Sequence, residues 1–315
     1  MPEPLDETPI PEAAKSVSDV EYQMLGAIRD ECFEIQRKRM KQAPFIWLGL
    51  VAVFIWAMGG FAAAFGDFYF YLGVVGGTGL LADWVYAQRR RYARSYKDII
   101  FPHIARTFNM QYSRAGGVPI HLFSGTGGVP QHVKCETEDY FFGEYHGEKI
   151  HLSEIKLSER TGEFEQKATK EIFSGVAIVI ELKKPPFLGH TVILPKVRPY
   201  KLNLSGLKPV DLVDPVFGAD YSVFSNDQVE ARFLVHPVVV ENFSALSAPF
   251  FGKKVSVSFY QGRILVLIPV DQNLFEPPSM WADVSNFDGI VSVKAQIAAT
   301  LTFVDRLGLY KKRPQ

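Results

Sequence analysis

The chain has 315 residues, of which 47% are hydrophobic, and its 34 basic and 34 acidic side chains give a net charge of zero. This balance argues against an extended basic face and therefore against nucleic-acid binding. The two cysteines, Cys32 and Cys135, are too few for a disulfide scaffold, and neither has a CxxC partner, so we expect both thiols to be inert.

The N-terminal region is expected to contain a disordered tail followed by one helix. Residues 1–17 are rich in proline and acidic residues, a composition typical of disorder. Ser18 and Glu21 have the spacing of a capping box, and apolar residues then recur at steps of three and four. The sequence therefore predicts an amphipathic helix over residues 18–42, with its apolar face docked on the rest of the protein.

Two apolar stretches follow, and they predict a transmembrane helical hairpin over residues 43–88. Phe45–Phe65 contains no charge, Phe68–Ala87 contains only Asp83, and Gly66 and Asp67 separate the two. Each stretch is long enough, as a helix, to cross the hydrocarbon core of a bilayer. Small residues at four-residue spacing are expected to pack the two helices together, although a dimer through the same faces is the alternative: Gly59, Ala63, Gly73 and Gly77.

The flanks of this pair predict its orientation. They contain nine basic residues and no acidic ones, namely Arg37, Lys38, Arg39, Lys41, Arg89, Arg90, Arg91, Arg94 and Lys97. Lys and Arg accumulate in cytoplasmic loops and bind anionic head groups. We therefore expect a two-pass protein of the bacterial inner membrane, with the lipid bilayer as a partner and both termini in the cytoplasm. A cleaved signal peptide is disfavoured because its apolar region would be shorter and nearer the N-terminus.

Residues 98–315 are predicted to form a cytoplasmic α+β domain of mixed antiparallel sheet and helices, with two halves, 98–210 and 211–315, as an alternative organisation. The pattern predicts a hairpin around 146–148, a central strand over 173–182, a short strand over 190–194, a hairpin around Gln261-Gly262, and a helix over 291–307. The apolar phase shifts near Ser153 and Glu154, which suggests a β-bulge at that point.

Several short phrases of this region resemble a bacterial family of unknown function, DUF3137. They are residues 108–112, 139–143, 152–154, 173–175, 220–224 and 228–232, reading FNMQY, DYFFG, LSE, FSG, DYSVF and QVEAR. The resemblance implies a membrane-anchored bacterial protein without an established activity, and it implies no catalytic residue.

No pattern of residues predicts a catalytic, cofactor or metal site. The histidines do not have the spacing of a zinc site, and the glycine-rich residues 124–128 lack the lysine of a phosphate-binding loop, so we expect a mobile loop there. Glu154 is the carboxylate best placed for chemistry, because a bulge can redirect a side chain toward a site. If the protein is an enzyme, we expect Glu154 to meet His146 or Arg232 in a pocket.

The sequence therefore favours a membrane-anchored binding or scaffold protein whose partner is another protein, with oligomerisation left open. The alternative is an enzyme of unrecognised type that acts on a small molecule near the inner membrane. Transport is disfavoured, because two helices cannot enclose a pathway without assembling several copies.

Overall fold

A computed structural model of the chain describes residues 38, 41, 45, 47–50, 52, 68–161, 168–185, 187–198, 200–211, 215–235, 242–243, 245–251, 254–277 and 288–307. These residues belong to two compact units. The larger unit lies within Pro102–Phe275 and Asp288–Gln315, and the smaller within Val17–Phe101 and Glu276–Phe287.

The predicted membrane hairpin is wrong. Among the described residues, no helix combines the length and the apolar character needed to cross a bilayer. The second apolar stretch is the beginning of a 40-residue helix, α1 (Phe68–Thr107), which continues through Arg89–Lys97 without a break. Glycines, tyrosines and Asp83 are mixed with the hydrophobic residues of that stretch and lower its average hydropathy.

The same finding overturns the predictions that depended on the hairpin. The two-pass location in the inner membrane, with both termini cytoplasmic, is not supported, and neither is a fold class that begins with two transmembrane helices. The described residues instead form a large antiparallel sheet with a few helices.

Several N-terminal predictions lie outside the described residues. These are the tail at 1–17, most of the amphipathic helix at 18–42 and of the first apolar stretch, and Arg37, Arg39, Gly59 and Ala63. Lys38 and Lys41 are helical and exposed, and Gly73 and Gly77 lie within α1.

The basic cluster after the second stretch lies on α1, in the smaller unit. Arg89, Arg90, Arg91 and Arg94 are exposed. Lys97 is buried instead, and its ammonium lies 3.6 Å from the carboxylate of Glu276. A lysine at the predicted membrane edge is therefore paired within the protein.

The larger unit is built on one nine-stranded sheet in which every described pairing is antiparallel. Its strands are β1 (Met110–Ser113), β2 (Lys134–Tyr145), β3 (Glu148–Thr161), β4 (Ala168–Glu181), β5 (His190–Pro195), β6 (Lys208–Pro209), β7 (Tyr221–Ser225), β8 (Ser256–Tyr260) and β9 (Arg263–Pro269). The order across the sheet is β1-β2-β3-β4-β9-β8-β5-β7-β6. Strand β5 from the first suggested half lies between β8 and β7 from the second, so the two halves share one sheet.

Short helices connect the strands. These are α2 (Pro215–Asp220) and α3 (Gln228–Leu234), with 3-10 turns at Ile120–Phe123 and Ala248–Phe250, whereas the 20-residue helix α4 (Asp288–Leu307) follows the last strand. Asp227 caps α3, because its carboxylate accepts hydrogen bonds from the amides of Val229 and Glu230 at 2.9 and 3.0 Å. The helix predicted at 291–307 is confirmed as α4, which begins three residues earlier.

Both predicted hairpins are confirmed, and their turns explain why they form. His146 and Gly147 have φ values of 51° and 85°, and Gln261 and Gly262 have φ values of 46° and 75°. Two successive positive φ angles are the signature of the type I′ turn, whose twist matches that of paired strands. The predicted central strand is also confirmed as β4, which pairs with β3 and β9.

Protein covers both faces of the sheet, and this explains the phase shift seen in the sequence. Ile150 and Leu152 point to one face, where Phe141, the partner of Leu152, packs on Phe275 with ring centroids 5.3 Å apart. Residues 155 and 157 are buried on the other face, in a core that includes Val118, Ile120, Phe123 and Val129. Gly127 and Gly128, in the glycine-rich segment expected to be mobile, are buried as well.

Candidate functional site

A β-bulge lies close to where the sequence predicts one, but on the neighbouring strand. Glu138 pairs with Glu154 and Phe141 pairs with Leu152, so Asp139 and Tyr140 together oppose the single residue Ser153. Asp139 has a φ of 54°, the left-handed conformation that a bulge can accommodate. The extra residue is therefore in β2, and β3 remains regular.

The bulge brings three carboxylates together. Ligand oxygens of Glu138, Asp139 and Glu154 all lie within 4.8 Å of one another. Asp139 is fully buried and accepts a 2.6 Å hydrogen bond from the hydroxyl of Tyr112, while Glu154 accepts one of 2.5 Å from the amide of Leu274. Such oxygens are the ligands that Mg²⁺ and Ca²⁺ prefer, so these residues are the ones that could hold a hard cation.

On the other face of the sheet, the bulge places Tyr140 beside His151. The Tyr140 hydroxyl lies 2.6 Å from Nδ1 of His151, and Nε2 of His151 lies 3.3 Å from Oε1 of Glu181. Burial lowers the pKa of His151, and the nearby Glu181 carboxylate partly offsets this effect. Burial, followed by the charge of Glu181, raises the pKa of Tyr140. The imidazole of His151 therefore lies between a phenol and a carboxylate.

A groove of about 750 Å³ lies where β4, β5 and β9 meet the loops beside them. The apolar part of its lining comes from Ile172, Phe173, Pro195, Val197, Tyr200, Pro269 and Val270, and its polar part from Glu171, Ser174, Arg198, Lys254 and Asp271. Val197 is 93% exposed, an unusual position for a large aliphatic side chain in a groove.

The basic side chains of the groove differ in how they are paired. Lys254 forms an ion pair with Asp220. One terminal nitrogen of Arg198 donates to the carbonyl of Pro195 at 2.9 Å, but its Nε is buried and has no acceptor among the described residues. Tyr200, whose hydroxyl lies 2.9 Å from that of Ser256, has its pKa raised by burial. Arg198 is thus the cation of the groove for which the described residues provide no ion pair.

The groove also borders a strand edge. Strand β4 pairs with β9 only over Gly175–Glu181, whereas it pairs with β3 from Ala168 onward. The amide of Val270 donates to the carbonyl of Ser174 at 3.1 Å, and this is where the β9 side of the pairing ends. Within the described part of the chain, no strand occupies the second edge of residues 168–173.

The structure does not assemble the polar site considered for an enzyme. His146 lies in the turn after β2, where its Nε2 is 3.4 Å from Asp305 of α4, and Glu154 is about 20 Å farther along β3. Arg232 is exposed on α3, which follows β7. In the order of the sheet, β3 and β7 are five strands apart, which is about 24 Å across the sheet.

Sequence reasoning does not single out the groove. Residues 183–210 contain five prolines, which predict connections and conceal the positions of Val197 and Arg198. A hydrophobic residue next to an arginine between two prolines is the available signal, and it is a weak one.

Residues 171–309 match the model of a family described as a protein of unknown function (DUF3137). The predicted resemblance to DUF3137 is confirmed. The DUF3137 match begins within β4 and extends beyond α4, so it contains every residue that lines the groove. The three carboxylates, Tyr140 and His151 all lie before it.

A crystal structure of the mycobacterial trehalose monomycolate transport factor A, TtfA, is similar to this chain at 13% sequence identity, with a TM-score of 0.38, and the alignment covers 68% of this chain and 95% of that one. No curated protein matches the chain.

Proposed function

We propose that this chain is a binding protein whose partner is another protein, and that it is not an enzyme. The observation that carries the proposal is the groove beside β4, in which the exposed side chain of Val197 lies among other apolar lining residues and beside the half-buried cation of Arg198. Exposed apolar surface rimmed by polar residues is a mark of protein–protein interaction sites. The groove lies entirely within the DUF3137 match.

The side chains suited to proton transfer lie elsewhere, and this supports binding over catalysis. Neither His151 nor Tyr140 lines the groove, and neither does any of the three clustered carboxylates. A catalytic group must reach the reacting atoms of its substrate within hydrogen-bond distance. Of the groove's own ionisable groups, Lys254 is paired with Asp220, which lies outside the lining.

The proposal is tested by affinity purification of the full chain from its native host after crosslinking in intact cells. We expect a partner protein at a fixed ratio to the chain. Val197→Asp should lower its recovery, because a charge would then lie in the apolar part of the groove. The matched control is Val229→Asp, since Val229 is also exposed, at 78%, but lies on α3 outside the groove. Recovery of the chain alone in repeated experiments would refute the proposal.

A second candidate, an enzyme acting on a small molecule, is favoured by the contact of Tyr140 with His151 and by the proximity of Glu181. Such an arrangement can move a proton along the phenol and the imidazole. The test is incubation of the chain and of His151→Gln with small-molecule extracts, followed by mass spectrometry. A metabolite consumed by the unmodified chain and spared by His151→Gln would establish the enzyme.

A further inference from the structure

The second edge of β4 is a backbone surface without a described neighbour. Residues 168–173 pair with β3 on one edge, and on the other edge the pairing with β9 covers only residues 175–181. A strand with one open edge presents a row of amide and carbonyl groups that another extended chain can pair with. Thr169, Lys170 and Glu171 are exposed, so this edge is accessible from solvent.

Features of the edge restrict what can pair with it. The register with β3 shifts between Leu157 and Ser158, which leaves Ile172 as the extra residue of a bulge, and charged Lys170 and Glu171 lie just before it. Bulges and charges on an edge are the devices by which natural sheets prevent indiscriminate pairing. A partner strand would therefore be selected by its side chains as well as by its backbone.

The groove supplies that selection. Ile172, which belongs to this edge and is half-buried, and the exposed Val197 both line the groove and form its accessible apolar part. In a strand that adds to an edge, alternate side chains point to the same face, so one side chain in every two would reach this surface. An aliphatic or aromatic side chain would bury Val197, which is otherwise exposed.

The charges of the groove indicate the polar part of the partner. Arg198 is half-buried, one of its terminal nitrogens donates to the carbonyl of Pro195, and a carboxylate is the acceptor that a guanidinium binds best. Lys254 is already paired with Asp220. Glu171 and Asp271 also line the groove and would repel a run of acidic residues. The chemistry therefore fits one carboxylate close to an apolar side chain.

We infer that residues 168–173 of β4 accept an extended segment of a partner protein by β-strand addition, with an apolar side chain against Val197 and one carboxylate at Arg198. This inference rests on the proposed function, and it adds the place, the geometry and the chemistry of the partner segment.

The direct test uses random peptides of about 10 residues, displayed on phage and selected against the immobilised full-length chain. We expect the selected peptides to share an apolar residue close to one acidic residue. Arg198→Met should raise the Kd of the best synthetic peptide at least about tenfold, as expected for the loss of a charge-assisted hydrogen bond. Lys201→Met is the control, because Lys201 is exposed and basic but does not line the groove. It should leave the Kd within about twofold.

A backbone readout separates strand addition from other binding modes and does not depend on the folding of any variant. Two sets of alternate peptide residues, odd and even, can be N-methylated separately. Methylation of one set should abolish binding and methylation of the other should be tolerated, because only one edge of an added strand pairs with β4. Hydrogen exchange should slow at the amides of residues 168–173 when the peptide binds.

Four outcomes of the peptide experiments would overturn the inference: no selected peptide, equal binding to Arg198→Met and Lys201→Met when both fold, tolerance of N-methylation in both sets of alternate residues, or protection that appears only away from β4. Dimerisation of the chain through this edge would assign the edge to a second copy and also overturn the inference. It would be seen as a mass that falls on dilution together with loss of protection at residues 168–173.

If cells yield a partner that Val197→Asp still binds normally, this inference fails and the proposed function stands. If cells yield no partner, the proposed function itself fails.

Discussion

The two halves of β4 share the same neighbouring strand, β3, on one edge and differ in what lies on the other edge. Residues 175–181 pair with β3 and with β9, and all side chains from Val176 to Ile180 are fully buried. Residues 168–173 pair with β3 alone, and three of them are exposed. One strand thus contains a region that stabilises the sheet and a region available for contact with another chain.

The largest difference between the two halves should appear when equivalent isoleucines are truncated. Ile178→Ala should lower the free energy of unfolding by about 2–5 kcal/mol, because it leaves a cavity in a region that cannot collapse. Ile172→Ala, in the half-buried bulge, should lower it by about 1 kcal/mol. Urea denaturation of the two variants measures both values. Equal losses would show that the edge half of β4 is as well packed as the interior half.

The interior of the sheet should also make stability dependent on pH, through His190 on β5. Burial lowers the pKa of His190 to about 4, whereas an unfolded histidine has a pKa of about 6.5. The unfolded chain therefore binds a proton first as the pH falls. The contribution of His190 is complete above pH 6.5 and is lost between about pH 6.5 and 4, and it amounts to about 3 kcal/mol.

This pH effect is measured by urea denaturation across the same range. His190→Gln should flatten the curve in that window, and the exposed His121 provides the control through His121→Gln. A curve for His190→Gln that keeps its full slope would show that other groups cause the pH dependence.

Gly175 marks the point at which β9 begins to pair with β4, and its replacement tests why the change occurs there. Its φ is 156°, and a Cβ at this position would collide with the carbonyl oxygen of Ile268. Gly175→Ala should lower the free energy of unfolding by about 1–3 kcal/mol through this overlap. Gly206 has a φ of 83°, but a Cβ added there would have no neighbour within 4 Å, so Gly206→Ala isolates the conformational penalty.

That penalty should be about 1 kcal/mol. Thermal unfolding of Gly175→Ala and Gly206→Ala therefore distinguishes a close backbone approach from an unfavourable φ. If both variants lose the same stability, the close approach of the Ile268 carbonyl adds no measurable cost to a side chain at position 175.

Local features of the fold could be predicted from the sequence because they depend on neighbouring residues. Gln261-Gly262 and the glycine after His146 favour positive φ, and they determine both hairpins. The order of the sheet could not be predicted, because inserting β5 between β8 and β7 depends on contacts between residues distant in the chain. The strand that carries the bulge could not be predicted either, because it depends on how two strands pair. The sequence predicts the bulge in β3, whereas the extra residue is in β2.

The candidate site could not be predicted, because its parts come from three separated segments. Ile172, Arg198 and Val270 have no shared sequence signal, and only the folded sheet places them around one groove.

The membrane prediction is wrong for a different reason. It relies on the rarity of charges in residues 68–87, yet glycines and tyrosines also determine average hydropathy, and α1 extends well beyond that stretch.

The smallest expected effect concerns the edge half of β4 and is the sharpest check on its openness. Thr169→Ala should change the free energy of unfolding by no more than about 0.5 kcal/mol, because Thr169 is exposed. The matched residue is Thr191 of β5, which is buried and whose hydroxyl lies 2.9 Å from that of Ser225, so Thr191→Ala should cost about 1–3 kcal/mol. Chemical denaturation of both variants gives the two values. If Thr169→Ala costs as much as Thr191→Ala, another part of the chain covers the edge of β4, and that edge is not free to receive a partner strand.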